Sequence, residues 1–235
     1  CWQVTLETLT GEEQLEACAV VSAIGQLSQV SMPVLEGADD YQGNKFHTAR
    51  WPAGTDLKDK HVAIIGTGAS AMQIVPEIVD DVASLSIYQR SAQWVRPIPR
   101  YQDAIPEGAQ WLLKNIPLYA SWYRFTMLWR YGDGLLPSLR IDPDWPHPER
   151  SLNRANDRHR VDMTNHMERE LDGRPDLFDK CLPTYPPYGK RILLDNSWFK
   201  SLRKDNVELI TTGIDHFDET GIETSDGQHR AADVV

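Results

Sequence analysis

Small residues stand at the spacing that dinucleotide-binding turns use. The stretch Gly66-Thr67-Gly68-Ala69-Ser70-Ala71 matches G-x-G-x-x-G/A. In such a turn the first glycine permits the tight strand-to-helix reversal, the second lets the backbone approach a pyrophosphate, and the third small residue lets the helix pack closely. The pyrophosphate lies on unpaired N–H groups at the helix N-terminus. We predict that residues 66–71, with Gln73 in the following helix, bind a dinucleotide; the alternative is an incidental turn.

The residues after the next predicted strand decide between the two nicotinamide dinucleotides. An NAD site usually has Asp or Glu there, which accepts a hydrogen bond from the ribose 2′-OH. This chain instead has Arg90, which lies 24 positions after Gly66, followed by Ser91. A guanidinium matches a 2′-phosphate in charge and geometry, and a serine hydroxyl can donate to it. We therefore predict NADP(H) as the cofactor; the alternative is a surface arginine in an ordinary ion pair.

The predicted elements around this turn form a β-α-β unit. The run His61–Ile65 is short and apolar, as expected of a buried parallel strand. Residues 71–82 fit a helix with one apolar face, although Pro76 lies inside it. Residues 85–88 form the next strand. The α/β alternation resumes near the end of the chain with a helix at 197–204, a strand at 207–211, a hairpin at about 214–230 and a terminal strand at 232–235.

The fold class that follows is α/β, with a Rossmann-like parallel sheet formed by residues 59–104 and 181–235. Residues 105–180 interrupt the alternation, so we predict a helical insertion there. Its first part is rich in aromatic residues, and we expect its apolar stretch 116–129 to be buried or to face a partner. Its second part, 151–171, is highly charged and predicts a solvated helix. Residues 2–25 predict a β-hairpin whose second strand, 19–25, is buried.

Composition excludes several other classes of protein. The net charge of -10 provides no general basic surface for nucleic acid. The three cysteines include no C-x-x-C pair, which argues against a disulfide framework, a zinc site or a dithiol centre, and we predict no metal site. No window predicts a signal peptide or a membrane span, so we expect a cytoplasmic protein. Both ends lie within strand-like runs, and we expect a segment of a longer polypeptide.

A second motif lies upstream of the glycine turn. The segment 41–52, Tyr-Gln-Gly-Asn-Lys-Phe-His-Thr-Ala-Arg-Trp-Pro, resembles F-x-G-x-x-x-H-x-x-x-W-P, the fingerprint of the flavin-dependent Baeyer–Villiger monooxygenases. Tyr41 replaces the usual phenylalanine, whereas Gly43, His47, Trp51 and Pro52 match. We refer to residues 41–52 as the fingerprint segment.

Three further stretches resemble the same family. Residues 22–28 resemble its A-T-G-x-L-S linker between the FAD and NADP domains, with Ile24 in place of threonine. Residues 89–91, with Trp94, resemble its Q-R-T/S stretch. Residues 186–191, followed by Asp195 and Asn196, resemble the segment that brings a Lys-Arg pair to the cofactor, in the form found in the 4-hydroxyacetophenone monooxygenase branch.

The resemblance implies an activity and a role for individual residues. In that family NADPH reduces FAD, the reduced flavin captures O2, and the peroxyflavin converts a ketone to an ester or lactone. Arg191 would be the active-site arginine, a fixed cation beside developing negative charge. Lys190 would join Arg90 on the 2′-phosphate, and His47 would couple cofactor binding to domain motion. Residues 1–58 would form the C-terminal edge of the FAD domain and the linker with the fingerprint segment.

Two alternatives remain open at this point. The sequence has no second G-x-G-x-x-G for FAD, so the chain by itself would be a binding module that turns nothing over. The parent enzyme could instead be an N-hydroxylating or S-oxygenating flavin monooxygenase, which shares the two-dinucleotide plan but has a different fingerprint. The partners implied by the resemblance to Baeyer–Villiger monooxygenases are a small-molecule ketone and O2.

Overall fold

The computed structural model describes residues 1–25, 27–98, 101 and 103–235. It divides into two compact units, residues 1–33 and 34–235. Gln26, which belongs to the linker-like stretch 22–28, lies outside the described residues, as do residues 99, 100 and 102 in the predicted sheet region.

The first unit is a single β-hairpin. Strand β1 (Trp2–Thr8) pairs antiparallel with β2 (Gly11–Ala17), with Trp2 opposite Ala17 and Thr8 opposite Gly11. The prediction of a buried strand at 19–25 is wrong, because these residues are exposed and form no strand. An apolar run becomes a strand only where a neighbouring strand satisfies its backbone and a packed layer covers its side chains. Neither is present beside residues 19–25 in the described part of the chain.

The second unit is built on a parallel sheet, which confirms the predicted fold class. Strand β3 (His61–Ile65) leads into helix α1 (Ala69–Ile78), and β4 (Ser84–Tyr88) follows. Strand β7 (Val207–Ile210) pairs with β4, so the order is β3-β4-β7 with all strands parallel. Helix α1 begins two residues earlier than predicted, because Gly68 is the residue that caps it.

The last part of the chain differs in one respect from the prediction. Helix α7 (Trp198–Leu202) lies where a helix was expected. The expected hairpin is a three-stranded antiparallel sheet of β8 (Ile214–Phe217), β9 (Gly221–Thr224) and β10 (His229–Ala231), in the order β10-β9-β8. The terminal segment forms parallel bridges from Val234 to Val62 on one side and to Asn44 on the other. It therefore extends the parallel sheet beyond β3.

Helices dominate the region between the two halves of the sheet. They are α2 (Glu107–Asn115), α3 (Tyr119–Tyr131), α4 (Leu136–Leu139), α5 (Arg154–Leu171) and α6 (Pro175–Cys181). Two short parallel strands, β5 (Val95–Arg96) and β6 (Leu193–Leu194), flank them in sequence.

Helix α5 is not the solvated helix that its charge predicted. Met163, Met167 and Leu171 recur every fourth residue and are each 1% exposed, and the last two belong to the main core. Spacing of this kind places side chains on one helix face, so a narrow apolar stripe is buried beneath a charged surface. The second part of the insertion is thereby packed into the same core as the parallel sheet.

Helix α3 differs from expectation in the opposite direction. Its aromatic side chains, including Trp122, Phe125 and Trp129, are exposed in the described chain, so of the two expectations, burial and contact with a partner, burial within this chain is not observed. Trp122 stacks on Phe125 with ring centroids 5.4 Å apart. In the part of the chain that the structure describes, no helix has both the length and the apolar character needed to cross a membrane.

Two clusters of buried side chains stabilise the second unit. The main cluster joins α1, the parallel strands, α5, α6 and α7, with Val75, Ile87 and Phe199 among its most buried members. The second joins the opposite side of the sheet to the antiparallel strands through Tyr88, Phe217 and Ile222. The glycine turn follows β3, whose side chains enter both clusters, and its position is therefore fixed by packing on both faces of the sheet.

Candidate functional site

The glycine turn uses its two glycines for different purposes. Gly66 has φ +105°, a backbone conformation that residues with a Cβ rarely adopt. Its N–H donates to the Tyr88 carbonyl at 2.8 Å. Gly68 has an ordinary φ of −79°, and a Cβ added there would meet nothing within 4 Å. Gly66 thus permits the chain reversal, whereas Gly68 leaves the space in front of the helix open.

The N-terminus of α1 presents free backbone donors. The first helical hydrogen bond runs from the Met72 N–H to the Gly68 carbonyl at 3.1 Å, which leaves the preceding N–H groups without partners in the helix. No described side chain caps this end. Ala69 and Ser70 are exposed, whereas Ala71 is buried in the main core, as predicted for the small residue that packs against the sheet. These donors and the helix dipole favour an anion.

The end of β4 lies directly beside the turn. Thr67, which is buried, donates from Oγ1 to the Ser91 carbonyl at 3.3 Å. Gln89 donates from Nε2 to the Lys180 carbonyl at 2.7 Å, which joins the strand end to α6. Between these anchored residues the Arg90 side chain is exposed and makes no hydrogen bond or ion pair to a described residue. Its guanidinium is therefore available to a ligand beside the turn.

Lys190 reaches the same place from a distant part of the chain. Its Nζ donates to Ser91 Oγ at 2.7 Å and lies 4.9 Å from the ring centroid of Tyr185. The structure thus brings the predicted residues 66–71, Arg90, Ser91 and Lys190 to one edge of the sheet. Gln73 lies exposed on α1, five residues after Gly68, and makes no side-chain hydrogen bond to a described residue.

Tyr185 was missed by the sequence reasoning although it supports this site. Its phenol donates to the Ala92 carbonyl at 2.9 Å, and its own carbonyl accepts from Trp94 Nε1 at 2.8 Å. Burial raises the pKa of Tyr185, so the phenol keeps the proton that it donates. Its ring then lies under Lys190. The available clue was an aromatic residue five positions before the lysine, which does not by itself indicate a contact with the strand end at 91–94.

Arg191 is placed next to this cluster but not within its hydrogen bonds. The side chain is exposed and has no ion pair or hydrogen bond to a described residue. It lies two residues before β6, whose Leu193 N–H donates to the Trp94 carbonyl at 2.9 Å. This bond holds the backbone that follows Arg191 beside the start of β5, while its guanidinium has no polar partner among the described residues.

The fingerprint segment begins with a close approach between Tyr41 and Gly43. A Cβ at Gly43 would lie 2.1 Å from the Tyr41 hydroxyl and 2.8 Å from the Asp233 carbonyl oxygen. The hydroxyl itself donates to the Ala232 carbonyl at 2.9 Å. Burial, with a smaller contribution from Asp233, raises the pKa of Tyr41 to about 12. The tyrosine that replaces phenylalanine thus gains a hydrogen bond, and glycine is required beside it.

Backbone hydrogen bonds connect the fingerprint segment to the sheet. The Asn44 N–H donates to the Asp233 carbonyl at 3.0 Å, and the Val235 N–H donates to the Asn44 carbonyl at 2.8 Å. The Val234 carbonyl accepts from the Ala63 N–H of β3 at 2.8 Å. Two rows of hydrogen bonds therefore separate the fingerprint segment from the strand that leads into the glycine turn.

His47 has a structural contact of its own. Its Nδ1 accepts a hydrogen bond from the Ala49 N–H at 3.0 Å and caps a single turn of 3-10 helix, Thr48–Arg50. Among the described residues, no hydrogen bond or ion pair connects it to the cluster around Lys190. Trp51 of the same segment is 40% exposed, and its ring lies edge-on to that of Phe46, with centroids 5.0 Å apart.

Comparison with known proteins identifies relatives over the whole chain. No family model matches it. It is 42% identical over 235 residues to the uncharacterized monooxygenase y4iD of Sinorhizobium fredii, of which it spans 36%. It is 35% identical over 224 residues to a Baeyer–Villiger monooxygenase of Pseudomonas aeruginosa, covering 93% of this chain and 39% of that protein. The structure of an oxidized steroid monooxygenase bound to NADP superposes with a TM-score of 0.73 at 27% identity, over 99% of this chain and 48% of that one. The chain thus spans less than half of each of these proteins.

Proposed function

Because the chain belongs to the family of Baeyer–Villiger and FAD-binding monooxygenases, we propose that it binds NADP(H) for a flavin-dependent oxidation. The observation that carries this proposal is the contact between Lys190 and Ser91 beside the glycine turn. It collects cationic and hydroxyl groups at the position where a 2′-phosphate would lie, one strand away from an uncapped helix N-terminus.

The residues of the turn fit the two charged parts of the cofactor. The N–H groups at the start of α1 would hold the pyrophosphate, and the open space at Gly68 would let it approach the backbone. Arg90 and Lys190 would pair with the 2′-phosphate, with the Ser91 hydroxyl between them. Gln73 would reach the cofactor from the first turns of α1. The two cations would then give the chain a preference for NADP(H) over NAD(H).

The family resemblance supports a specific reaction for the full-length parent. When bound, the nicotinamide would supply a hydride to FAD, whose reaction with O2 allows a ketone to be oxidised to an ester or lactone. Arg191 would be the catalytic cation in this reaction. Its exposed guanidinium, which has no polar partner among the described residues, would stabilise negative charge that develops at the reacting centre.

His47 would have a conformational role and not a chemical one. Its ring is already engaged as the cap of a 3-10 turn, and the segment that carries it is hydrogen-bonded through residues 233–235 to β3. A displacement of the fingerprint segment would therefore also displace β3, the strand that leads into the glycine turn. In this proposal the segment couples cofactor binding to domain motion.

Removal of one cation tests the 2′-phosphate site directly. We expect Lys190→Ala to weaken NADP+ binding by about tenfold, because a hydrogen bond to a charged group contributes about 1.5–3 kcal/mol and Arg90 remains. NAD+ binding, measured by the same titration, should not change. Lys204→Ala is the matched control, since Lys204 pairs with Asp80 beyond the opposite end of α1. Equal losses for both nucleotides would contradict the assignment of Lys190.

The reaction of the parent enzyme needs a separate experiment. The full-length protein with FAD should oxidise NADPH faster in the presence of a ketone, and the product should be an ester or lactone. Formation of N-oxides, hydroxylamines or sulfoxides from other substrates, with no ester from any ketone, would favour the N-hydroxylating or S-oxygenating alternative. For the chain by itself we propose a binding module: a flavin spectrum on the purified 235-residue chain would contradict that view.

A further inference from the structure

Tyr188 adopts a backbone conformation that tyrosine seldom has. Its φ is +69°, and it stands directly before Gly189 and two residues before Lys190. A side chain in the left-handed region is strained, and such a residue persists only where the surrounding contacts hold it. The backbone that delivers Lys190 to Ser91 therefore depends on whatever holds Tyr188.

Two elements hold this residue from opposite directions. Arg96 of β5 donates from Nη2 to the Tyr188 hydroxyl at 2.8 Å. His159 of α5 lies on the other side, with Nδ1 2.7 Å from the same hydroxyl and the two rings 5.5 Å apart. Asn156, one turn earlier on α5 and fully buried, donates from Nδ2 to the Pro187 carbonyl at 3.0 Å. The backbone at 187–188 is thus fixed to α5 twice and to β5 once.

The chemistry of these groups determines the direction of each hydrogen bond. A guanidinium has donors only, so the Tyr188 oxygen must accept from Arg96. The single phenolic proton finds a partner when Nδ1 of His159 accepts it. Nδ1 can accept only when it carries no proton, so the imidazole in this arrangement is neutral, with its proton on Nε2. Protonation of Nδ1 turns this nitrogen into a donor, so the Tyr188 hydroxyl loses the acceptor of its proton, and its oxygen faces donors from both Arg96 and His159.

We propose that Tyr188 is a positioning residue for Lys190, held in its left-handed conformation by Arg96 and by a neutral His159. Protonation of His159 removes its acceptor and releases the turn that carries Lys190 to Ser91. This inference rests on the proposed NADP(H) site and adds a proton-dependent support to it. In this step one proton adds to Nδ1 of His159, and the hydrogen bond from the Tyr188 hydroxyl to Nδ1 is lost.

The charged groups around His159 favour the neutral form. Burial lowers its pKa below the ordinary 6.5, and Arg96 and Arg158 lower it further, whereas Asp162 raises it. Burial raises the pKa of Tyr188; Arg96 opposes that rise, and Tyr131 of α3 adds to it. Because the pKa of His159 is lower in the folded chain, its stabilising contribution is complete above pH 6.5 and is lost as the pH falls through the folded value.

An NMR titration of the whole 235-residue chain tests the inference without any nucleotide. The backbone amide signals of Gly189, Lys190 and Arg191 should move together as the pH falls below 6.5, with the same midpoint as the His159 ring. His159→Asn keeps an acceptor near the Nδ1 position but cannot be protonated, so its amide signals should stay at the neutral-pH positions throughout. Tyr188→Phe lacks the hydroxyl, and its signals should be displaced at every pH.

The outcomes separate this inference from the proposed function. Signals at 189–191 that do not follow His159 in the wild-type chain, or that titrate equally in His159→Asn, would overturn the role of Tyr188. A parallel titration with NADP+ should show affinity falling several-fold on acidification in the wild-type chain but not in His159→Asn. If the wild-type chain bound no NADP+ at any pH, the proposed function would fail, while the NMR titration would still decide whether Tyr188 and His159 position Lys190.

Discussion

At the scale of single residues, positions 66 and 68 are both glycine, but for different physical reasons. Gly66 is required by its backbone, because φ +105° strains any residue with a Cβ. Gly68 is not required by the fold, since its backbone is ordinary and the space around it is open. We propose that the pyrophosphate occupies that space, so the two glycines should respond differently to the same substitution.

Alanine substitutions separate these two requirements. Gly66→Ala should lower the free energy of unfolding by about 1–3 kcal/mol through backbone strain and weaken NADP+ binding as well. Gly68→Ala should change the free energy of unfolding by no more than about 0.5 kcal/mol, yet abolish measurable NADP+ binding because its Cβ occupies the approach to the backbone. Denaturant unfolding and titration calorimetry measure the two effects. A Gly68→Ala chain that binds NADP+ normally would place the pyrophosphate elsewhere.

At the scale of elements, the fingerprint segment is part of the parallel sheet. Residues 44–46 pair with 233–235, which pair with β3, so a motif that precedes β3 in sequence is separated from it by the last residues of the chain. Gly43 permits this arrangement, because the Tyr41 hydroxyl and the Asp233 carbonyl occupy the space of a Cβ. A change at the fingerprint segment should therefore affect the sheet and not only the loop.

Gly43→Ala tests that connection. The new methyl group would overlap the Tyr41 hydroxyl and the Asp233 carbonyl, and relief of such overpacking costs about 1–3 kcal/mol of stability. Amide exchange should quicken at Ala63, whose N–H bonds to the Val234 carbonyl. Gly108→Ala, at an open position in α2, serves as the control and should not lower stability. Unchanged exchange at Ala63 in Gly43→Ala would argue against the coupling.

The sequence predicted local elements better than their packing. The strand at 61–65, the glycine turn and the strand that ends at Tyr88 follow from short apolar runs and from glycine spacing. The charged surface of α5 concealed the stripe of Met163, Met167 and Leu171, because charge outnumbers apolar residues in that helix. The apolar run at 19–25 predicted a strand that needs a neighbour to form. Long-range pairing, as in these two cases, is not encoded in a local window.

In the candidate site, too, local features could be predicted from the sequence and contacts between distant residues could not. Arg90 and Ser91 could be predicted because they follow the second strand of a β-α-β unit at a fixed spacing. That Lys190 would join Arg90 was implied only by the family resemblance, and its hydrogen bond to Ser91, 99 positions away in sequence, was not predicted. The support given by Tyr185, Tyr188, Arg96 and His159 had no counterpart in a motif. It depends on side chains from three separate stretches that meet only in the folded chain.

At the scale of the whole second unit, one core includes both the parallel sheet and the later helices. Cys181 at the end of α6 lies in the same cluster as residues of α1 and β4. Burial raises the pKa of its thiol to about 12, so it carries almost no thiolate at ordinary pH. The reactivity of this thiol therefore reports whether the helical region stays packed against the sheet.

Thiol counting gives a simple measurement of that packing. At pH 8 a thiolate-selective reagent should label Cys1 and Cys18, which are exposed, within minutes and leave Cys181 unmodified. Denaturant should release the third thiol, and its rate of labelling should follow global unfolding. Rapid labelling of all three thiols in the native chain would mean that α6 separates from the sheet without global unfolding.

We propose that the edge of the parallel sheet at Gly66, Arg90 and Lys190 is an NADP(H) site. Calorimetric titration of the 235-residue chain with NADP+ and with NAD+, repeated on Arg90→Ala, tests it most directly. We predict tighter binding of NADP+ than of NAD+, and a loss of that preference in Arg90→Ala by about tenfold to a hundredfold, in line with about 1.5–3 kcal/mol for a hydrogen bond to a charged group. Binding of neither nucleotide, or equal binding of both by the wild-type chain, would contradict the claim.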